Sequence, residues 1–294
     1  MDARTTAALD RAAEKTRRHI GTPRRAETLG LTLGRTTAPT PMLFVRYPPC
    51  LAMVLHGRKH SLDADSGGLD WGPESFLITP VKLPVIARVV ETGADGDFVS
   101  LNWRLDPAIV AEVAGQLPRP RPGSEATPRR LGTTTAEIAD AVDRLVGLLD
   151  TPEDAPVLLP LVSRELILRL LQSDQAPRVH AAAEHARADT VSTVIDHFTA
   201  DLARPWTIDD AAALCHISPA TLTRRFRDIT GLTPMRYLKR LRLGEARRAM
   251  LTDGWTATQA ATSVGYLSAA HFSRDYRAAY RLPPARDAQR ASVG

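Results

Sequence analysis

Residues 207–226 read TIDDAAALCHISPATLTRRF, and residues 257–276 read ATQAATSVGYLSAAHFSRDY. At an offset of fifty residues the two stretches match in small, apolar and charged positions, pairing Ala211 with Ala261, Leu214 with Val264, Ser218 with Ser268, Leu222 with Phe272, Arg224 with Arg274 and Phe226 with Tyr276. Self-similarity at a fixed offset indicates a duplicated supersecondary unit. Each copy predicts a helix, a tight turn and a second helix.

The start of the first helix in each copy carries a capping signature. Thr207 precedes Asp210 by three residues, and Thr256 stands in the same relation to Gln259. Such a pair satisfies free backbone N–H groups at a helix N-terminus. The turns are then predicted at residues 215–217 and 265–267, where His216 is a residue type that tolerates a left-handed backbone.

The second helix in each copy is predicted to begin after a serine cap, Ser218 followed by Pro219 in one copy and Ser268 in the other. In a helix-turn-helix unit this helix enters the major groove of DNA. The residues predicted to face DNA are Ala220, Thr221, Thr223, Arg224, Arg227, Ala269, Ala270, His271, Ser273, Arg274 and Arg277.

Arg224 and Arg274 are the predicted base readers, because a guanidinium can bond a guanine edge with two hydrogen bonds. Thr223, His271 and Ser273 are secondary candidates. The alternative for each arginine is a phosphate contact, which positions the protein without reading sequence. For Arg225, Arg227 and Arg277 we favour phosphate or solvent.

Residues 234–251 (PMRYLKRLRLGEARRAML) predict a rigid linker helix between the two units. Its apolar positions recur at helical spacing. Its basic residues occupy other faces, where they meet phosphates or remain solvated: Arg236, Lys239, Arg240, Arg242, Arg247 and Arg248.

Charge is distributed unevenly along the 294 residues. The chain has a formal net charge of +5, yet residues 187–286 hold 15 Lys and Arg against 9 Asp and Glu. The preceding 186 residues are nearly neutral. This asymmetry fits a polyanion-binding module joined to a neutral domain. No apolar run is long enough for a membrane span, no signal peptide is evident, and two cysteines do not make a disulfide framework.

Residues 188–287 resemble the DNA-binding domain of AraC/XylS-type regulators. The resemblance rests on SPATLTRRF, on the Gly-x-x-Pro connector at residues 231–234, and on VGYLSAAHFSRDY at residues 264–276. One departure is Arg281, where the family usually has glycine after the aromatic residue. This departure affects how the last helix is expected to end.

The N-terminal part, called the front domain below, alternates short apolar runs with turn residues. This pattern predicts a small antiparallel β-barrel or sandwich. The predicted strands lie at 42–45, 51–55, 76–78, 85–90 and 98–103. Helices are predicted at 6–19, 106–116, 135–149 and 156–171, a surface loop at 118–130 and a connector at 173–186. The helix at 156–171 is apolar on most sides, so it packs on the barrel or forms a dimer interface.

Residues 27–172 resemble the cupin-like effector domain found in front of a subgroup of these regulators. The matching motifs are Pro41, Tyr47, Pro49, Gly57-Arg58-Lys59, Trp71-Gly72-Pro73, Leu83-Pro84 and Leu105-Asp106-Pro107. The resemblance implies a domain that responds to a small molecule and is often dimeric.

Two alternatives concern the front domain. A cupin fold can hold a metal, and His56, His60, Asp63 and Asp65 are the nearest candidates, although a further downstream His and carboxylate pattern is missing. Cys50 is either a redox sensor or a small buried residue. These alternatives describe a metal-dependent enzyme or a redox sensor fused to a DNA-binding tail. Neither a nucleophile elbow nor a phosphate-binding loop is present, so we expect no enzyme, cofactor or metal.

The sequence therefore predicts an α+β multidomain protein with a cupin-like barrel in front and an all-α domain behind. The predicted division is an N-terminal helix or arm at 1–26, an effector domain at 27–117, a helical dimerisation or linker segment at 118–186 and a DNA-binding domain at 187–294. Within the last, the units span 207–228 and 256–280. The expected partners are double-stranded DNA, RNA polymerase, an unknown small-molecule effector and a second copy of the chain, in the cytoplasm at the nucleoid and away from membranes.

Overall fold

The computed structural model describes residues 1–62, 68–117, 131–185 and 190–291. Their strands are β1 (Leu31–Thr36), β2 (Leu43–Tyr47), β3 (Cys50–His56), β4 (Arg58–Ser61), β5 (Leu69–Trp71), β6 (Ser75–Thr79), β7 (Leu83–Glu91), β8 (Phe98–Arg104) and β9 (Gly132–Thr133). The helices of the front half are α1 (Ala3–His19), α2 (Pro23–Thr28), α3 (Pro107–Gly115), α4 (Ala136–Gly147), α5 (Ala155–Leu171) and α6 (Ala176–His185).

The rest of the described chain is helical. Its elements are α7 (Thr190–Ala200), α8 (Ile208–Ala213), α9 (Pro219–Thr230), α10 (Pro234–Thr252), α11 (Ala257–Ser263), α12 (Ala269–Tyr280) and α13 (Pro284–Ala291). The α+β class predicted from the sequence is confirmed. None of the described helices is both long and apolar enough to cross a membrane.

The nine described strands form two antiparallel sheets. One has the order β1-β8-β3-β6-β9 and the other the order β2-β7-β4-β5. Among the described residues no ladder joins an edge of one sheet to an edge of the other. Of the predicted barrel or sandwich, the structure therefore has two separate antiparallel sheets and no closed barrel. The edge strands β9 and β5 have only two and three residues, which is too short to continue the pairing around a barrel.

Two other predictions were wrong. Residues 173–186 were expected to be a connector, but α6 occupies most of them because Val179 and Ala182 are buried in the core. The central strand β4 was not predicted, since its sequence RKHS lacks an apolar pattern. The loop predicted at 118–130 lies outside the described residues, as do Asp63 and Asp65.

Helix α1 is attached to the front domain by both apolar and charged contacts. Its Ala8 and Leu9 are buried against the core, while Arg11 and Lys15 pair with Asp143 on α4. Arg17 donates hydrogen bonds to the buried carboxylate of Asp97 and holds its pKa below the ordinary range. The predicted N-terminal helix is thus part of the front domain's packing.

Helix α5 is apolar on two faces but covered on one. Leu166, Ile167 and Leu170 are fully buried in the core that α5 shares with α4 and α6. Val157 and Leu161, nearer the N-terminus of the helix, are 69% and 58% exposed. The buried face agrees with packing on the front domain, and the exposed face agrees with a dimer interface.

The second sheet is covered on both of its faces. Successive side chains of β7 alternate, as strand geometry requires: Val85 packs toward the inside of the front domain, and Ile86 packs with Leu243 and Ala246 of α10. Helix α10 thus lies across the outer face of this sheet. The Tyr237 hydroxyl donates to the Lys82 carbonyl at 2.6 Å, and Arg240 donates to the Leu62 carbonyl at 3.2 Å.

The closest approach between α10 and the sheet is at Gly244. A Cβ atom added there collides with the ring of Phe44 on β2, so only glycine allows the ring to rest on the helix backbone. Glycine inside a helix costs about 1 kcal/mol relative to alanine. The chain accepts this cost at the place where the helix meets the front domain.

We predict that Gly244→Ala lowers the free energy of unfolding when residue 44 is phenylalanine and raises it when residue 44 is alanine. In the wild-type background the added methyl group displaces the Phe44 ring and lowers the free energy of unfolding by roughly 1–3 kcal/mol, as overpacking does. In a Phe44→Ala background the same change raises it by about 1 kcal/mol, because only helix propensity remains. Urea unfolding of the wild type, the two single variants and the double variant measures both effects. An effect of the same sign in both backgrounds would contradict the contact between the Phe44 ring and the helix backbone at Gly244.

Candidate nucleic-acid interface

The two repeated units have the same local construction. In α8 the Thr207 side chain accepts from the Asp210 N–H, and the Asp210 carboxylate accepts from the Thr207 N–H. Thr256 and Gln259 make the same reciprocal pair at the start of α11. Each capping box fixes where the first helix of its unit begins.

The turn in each unit passes through one residue with a left-handed backbone. That residue is His216 with φ 54° in the first unit and Gly265 with φ 85° in the second. The following helices α9 and α12 begin at Ser218 and Ser268, whose hydroxyl groups accept from Thr221 N–H and His271 N–H. The inner faces of α9 and α12 are fully buried at Leu222, Phe226, Phe272 and Tyr276.

The outer faces carry the predicted DNA-facing residues, and none of the eleven is buried. Thr221, Thr223 and Ser273 are half-buried, and the others are exposed: Ala220, Arg224, Arg227, Ala269, Ala270, His271, Arg274 and Arg277. The structure therefore brings these residues onto two open helix faces, one in each unit.

Four arginines on these faces are unpaired. The guanidinium groups of Arg224, Arg227, Arg274 and Arg277 make no hydrogen bond or ion pair with the part of the chain that the structure describes. Arg225 differs, because its guanidinium donates to the Thr190 hydroxyl at 2.8 Å. A guanidinium group without a partner inside the protein is available to bind a phosphate or a base edge.

Two of the smaller candidates already have partners. The Thr221 hydroxyl lies 2.8 Å from that of Ser218, within the cap of α9. His271 Nε2 lies 3.5 Å from Asp275, and the His271 ring meets the Tyr266 ring edge-on. Thr221 and His271 are therefore more fixed in orientation than the four arginines.

Most basic residues of the linker helix α10 bind within the protein. Arg247 is buried and pairs with Asp287 of α13 at 2.7 Å, and Arg242 donates to the Leu202 and Arg204 carbonyls. Lys239 pairs with Asp275 of α12, and Arg248 pairs with Glu245 and Asp253. The expectation of phosphate contacts does not fit Arg247, because its charge is enclosed.

Sequence reasoning missed Asp287, which anchors the second unit. Its carboxylate accepts from Arg247 and from the Tyr276 hydroxyl, the latter at 2.6 Å, and it is 5% exposed. Nothing in the local sequence around Asp287 marks it, since its partners lie 11 and 40 residues away.

Arg281 ends α12 in the same way that Gly231 ends α9. Both residues are left-handed C-caps, with φ 61° and 71°, and each N–H donates to the carbonyl of the Arg227 or Arg277 one turn earlier. Arg281 also lines an open groove with Ser273, Arg274 and Arg277. The departure from glycine therefore leaves the end of the helix unchanged and adds a cation beside the second recognition helix.

The alternatives for the front domain lose support in the structure. His56 and His60 lie on different sheets, where His56 contacts Asp10 and Arg17, and His60 contacts Asp70. Across residues 1–62, 68–117, 131–185 and 190–291, no three His, Cys, Asp or Glu side chains gather as a metal site. Burial raises the pKa of the Cys50 thiol to about 11, so it is not a reactive thiolate at neutral pH.

Comparisons with known proteins agree with this construction. The family described as AraC-type transcriptional regulator N-terminus matches residues 27–178, more than half of the chain, and a helix-turn-helix domain family matches residues 211–290. The chain belongs to the family of AraC-type transcriptional regulators.

Two curated relatives illustrate the match. A putative AraC-like transcription regulator of Streptomyces lividans is 33% identical over 180 residues, which cover 52% of this chain and 59% of the relative. The transcriptional activator RhaS of Escherichia coli O1:K1 / APEC is 30% identical over 152 residues, covering 50% and 53%. The chain spans about half the length of these relatives.

One solved structure shares the overall fold. ToxT from Vibrio cholerae O395 superposes with a TM-score of 0.54, covering 90% of this chain and 98% of that chain at 11% identity. At this identity the likeness concerns the fold alone.

We predict that Arg281→Gly raises the free energy of unfolding by about 1 kcal/mol, because a left-handed backbone costs a residue with a Cβ atom that amount. The matched control is Gly231→Ala in the first unit, which is expected to lower it by a similar amount. Urea unfolding of both variants is the measurement. Destabilisation by Arg281→Gly would contradict the assignment of strain to this cap.

Proposed function

We propose that this chain is a sequence-specific transcription regulator that reads two successive major grooves with α9 and α12. The observation that supports it most is the pair of open helix faces, each with two arginines that have no partner among the described residues. A nineteen-residue helix separates the two units. It is about 28 Å long at 1.5 Å per residue, which is comparable with the ~34 Å turn of DNA.

Specific reading requires more than positive charge. The two recognition helices present different residues around a shared Ser, Ala and Arg, with Thr221 and Thr223 in the first and His271 and Ser273 in the second. They are therefore proposed to read different sequences. A single copy of the chain then needs an asymmetric site.

The remaining partners are proposals of the same kind. A second copy of the chain fits the exposed Val157, Leu158 and Leu161 of α5, which the described residues leave uncovered. RNA polymerase and a small-molecule effector are proposed from the role of a regulator, and the proposed site of action is the cytoplasm, at the nucleoid. The proposed domain division is residues 27–117, 118–186 and 187–294, with the first 26 residues attached to the front domain.

Two alternative functions compete with that of a sequence-specific regulator. A nonspecific architectural protein would bind DNA of any sequence, and a cupin-type metalloenzyme would hold stoichiometric metal. The family membership and the unpaired arginines favour a regulator without catalytic activity. Structures of ToxT with a bound unsaturated fatty acid share only the fold with this chain, so the ligand is a separate question.

We predict that Arg224→Ala and Arg274→Ala each weaken binding to a specific site by about 1–3 kcal/mol and relax base preference in one half-site only. The measurement is gel-shift titration at fixed salt on a selected site and on its scrambled version. Arg225→Ala is the matched control, because its guanidinium is bound to Thr190 and its loss removes the same charge.

Two outcomes decide the proposal. Equal affinity of the wild type for selected and scrambled DNA contradicts specific recognition. An equal loss on both DNAs for the Arg224 and Arg274 variants shows that these arginines hold phosphates and do not read bases.

A further inference from the structure

A row of cations lies along one side of the second recognition helix. An open groove follows α12 to its C-terminal end and is lined by Ser273, Arg274, Arg277, Ala278 and Arg281. The guanidinium groups of the three arginines are exposed, and none of them makes a hydrogen bond or ion pair within the described residues. No lining residue is acidic. The groove is therefore a site of concentrated, unpaired positive charge.

The first unit differs in charge at the same place. Its α9 has arginines at the positions that match 274 and 277, but Asp228 stands where the second unit has Ala278, and Gly231 stands where it has Arg281. Asp228 is exposed, so its carboxylate lowers the positive potential beside the two arginines of α9. Three cations in the second unit thus correspond to two cations and one anion in the first.

Arg281 occupies a backbone conformation that disfavours it. Its φ of 61° lies in the left-handed region, which costs free energy for a residue with a Cβ atom. Gly231 ends α9 in the same conformation without that cost. The Arg281 side chain makes no hydrogen bond or ion pair with the described residues that would offset the strain. Strain without an internal compensation is typical of residues that act in binding.

The place of Arg281 on the helix favours the DNA backbone over the base edges. In helix-turn-helix proteins the N-terminal residues of the recognition helix contact bases, and in the homeodomain variant the C-terminal end of that helix contacts the backbone. Arg274 lies in the second turn of α12, whereas Arg281 directly follows its last residue, Tyr280. A guanidinium group binds a phosphate with two parallel hydrogen bonds.

We propose that Arg281, together with Arg277, binds a phosphate of the DNA backbone beside the half-site that α12 reads. This inference rests on the proposed function and adds an anchoring contact that the first unit lacks. A phosphate contact carries no sequence information. It therefore strengthens binding to every DNA sequence and makes the second unit the more firmly held of the two.

The first test is gel-shift titration of the full chain on the selected site and on its scrambled version at several salt concentrations. Arg281→Gly is expected to weaken binding to both DNAs equally, by about three- to tenfold. The slope of log affinity against log salt is expected to become shallower by about 0.9, as the loss of one phosphate contact requires. Because the same substitution is expected to stabilise the fold, the loss of affinity would not reflect unfolding.

Three further variants serve as controls. Arg281→Lys keeps the charge and is expected to retain most of the affinity and the salt slope. Arg24→Ala removes an exposed cation of α2 in the front domain, which changes net charge equally, and is expected to bind both DNAs as the wild type does. Ala278→Asp copies the residue of the first unit into the groove and is expected to weaken binding to both DNAs without removal of an arginine.

Replacement of single backbone phosphates by uncharged methylphosphonates locates the contact. At one position beside the second half-site, the replacement is expected to weaken binding of the wild type about as much as Arg281→Gly does. The same replacement is expected to have little further effect on the Arg281→Gly variant, since the contact is already lost.

Unchanged affinity and salt slope in Arg281→Gly would overturn this inference and leave specific recognition standing. A loss confined to the selected site, or equal sensitivity of wild type and variant to every methylphosphonate, would overturn it as well. Equal binding of the wild type to selected and scrambled DNA would instead contradict the proposed function, whereas the phosphate contact predicts the same loss in Arg281→Gly on either DNA.

Discussion

Helix α10 is the element on which the rest of the structure depends. On one side Phe44 packs on its backbone at Gly244, and the Tyr237 hydroxyl bonds the Lys82 carbonyl. On the other side its Arg247 is enclosed with Asp287, while Arg242 bonds carbonyls of the segment before the first unit. One helix therefore fixes both helix-turn-helix units and joins them to the sheet of the front domain.

This arrangement divides the work among the basic residues. Most arginines of α10 bind groups within the protein, so the unpaired arginines that we propose for DNA binding lie on α9 and α12. The net positive charge of the C-terminal third thus overstates the number of groups that are free to bind phosphate.

The elements that were predictable have local causes. The two helix-turn-helix units are determined by local signals: capping pairs such as Thr207 with Asp210, serine caps, and apolar residues at helical spacing. The predicted strands lie within a few positions of the observed ones. Features set by distant partners were not predictable. Strand β4 is polar but pairs with β7 and β5, α6 exists because Val179 packs in the core, and Asp287 acquires its role from Arg247. Likewise, the exposed arginines were identified as a class, but their freedom from internal partners required the structure.

The central claim is that α10 holds the two recognition helices at one fixed separation. The most direct measurement is the affinity for a selected DNA site and for versions with five or ten base pairs inserted between its half-sites. A rigid linker predicts that both insertions reduce affinity to that of a single half-site, including the insertion of a full helical turn, which restores the face of the DNA but moves one half-site by ~34 Å. Retention of full affinity with either insertion would show that the two units move independently and would contradict the account.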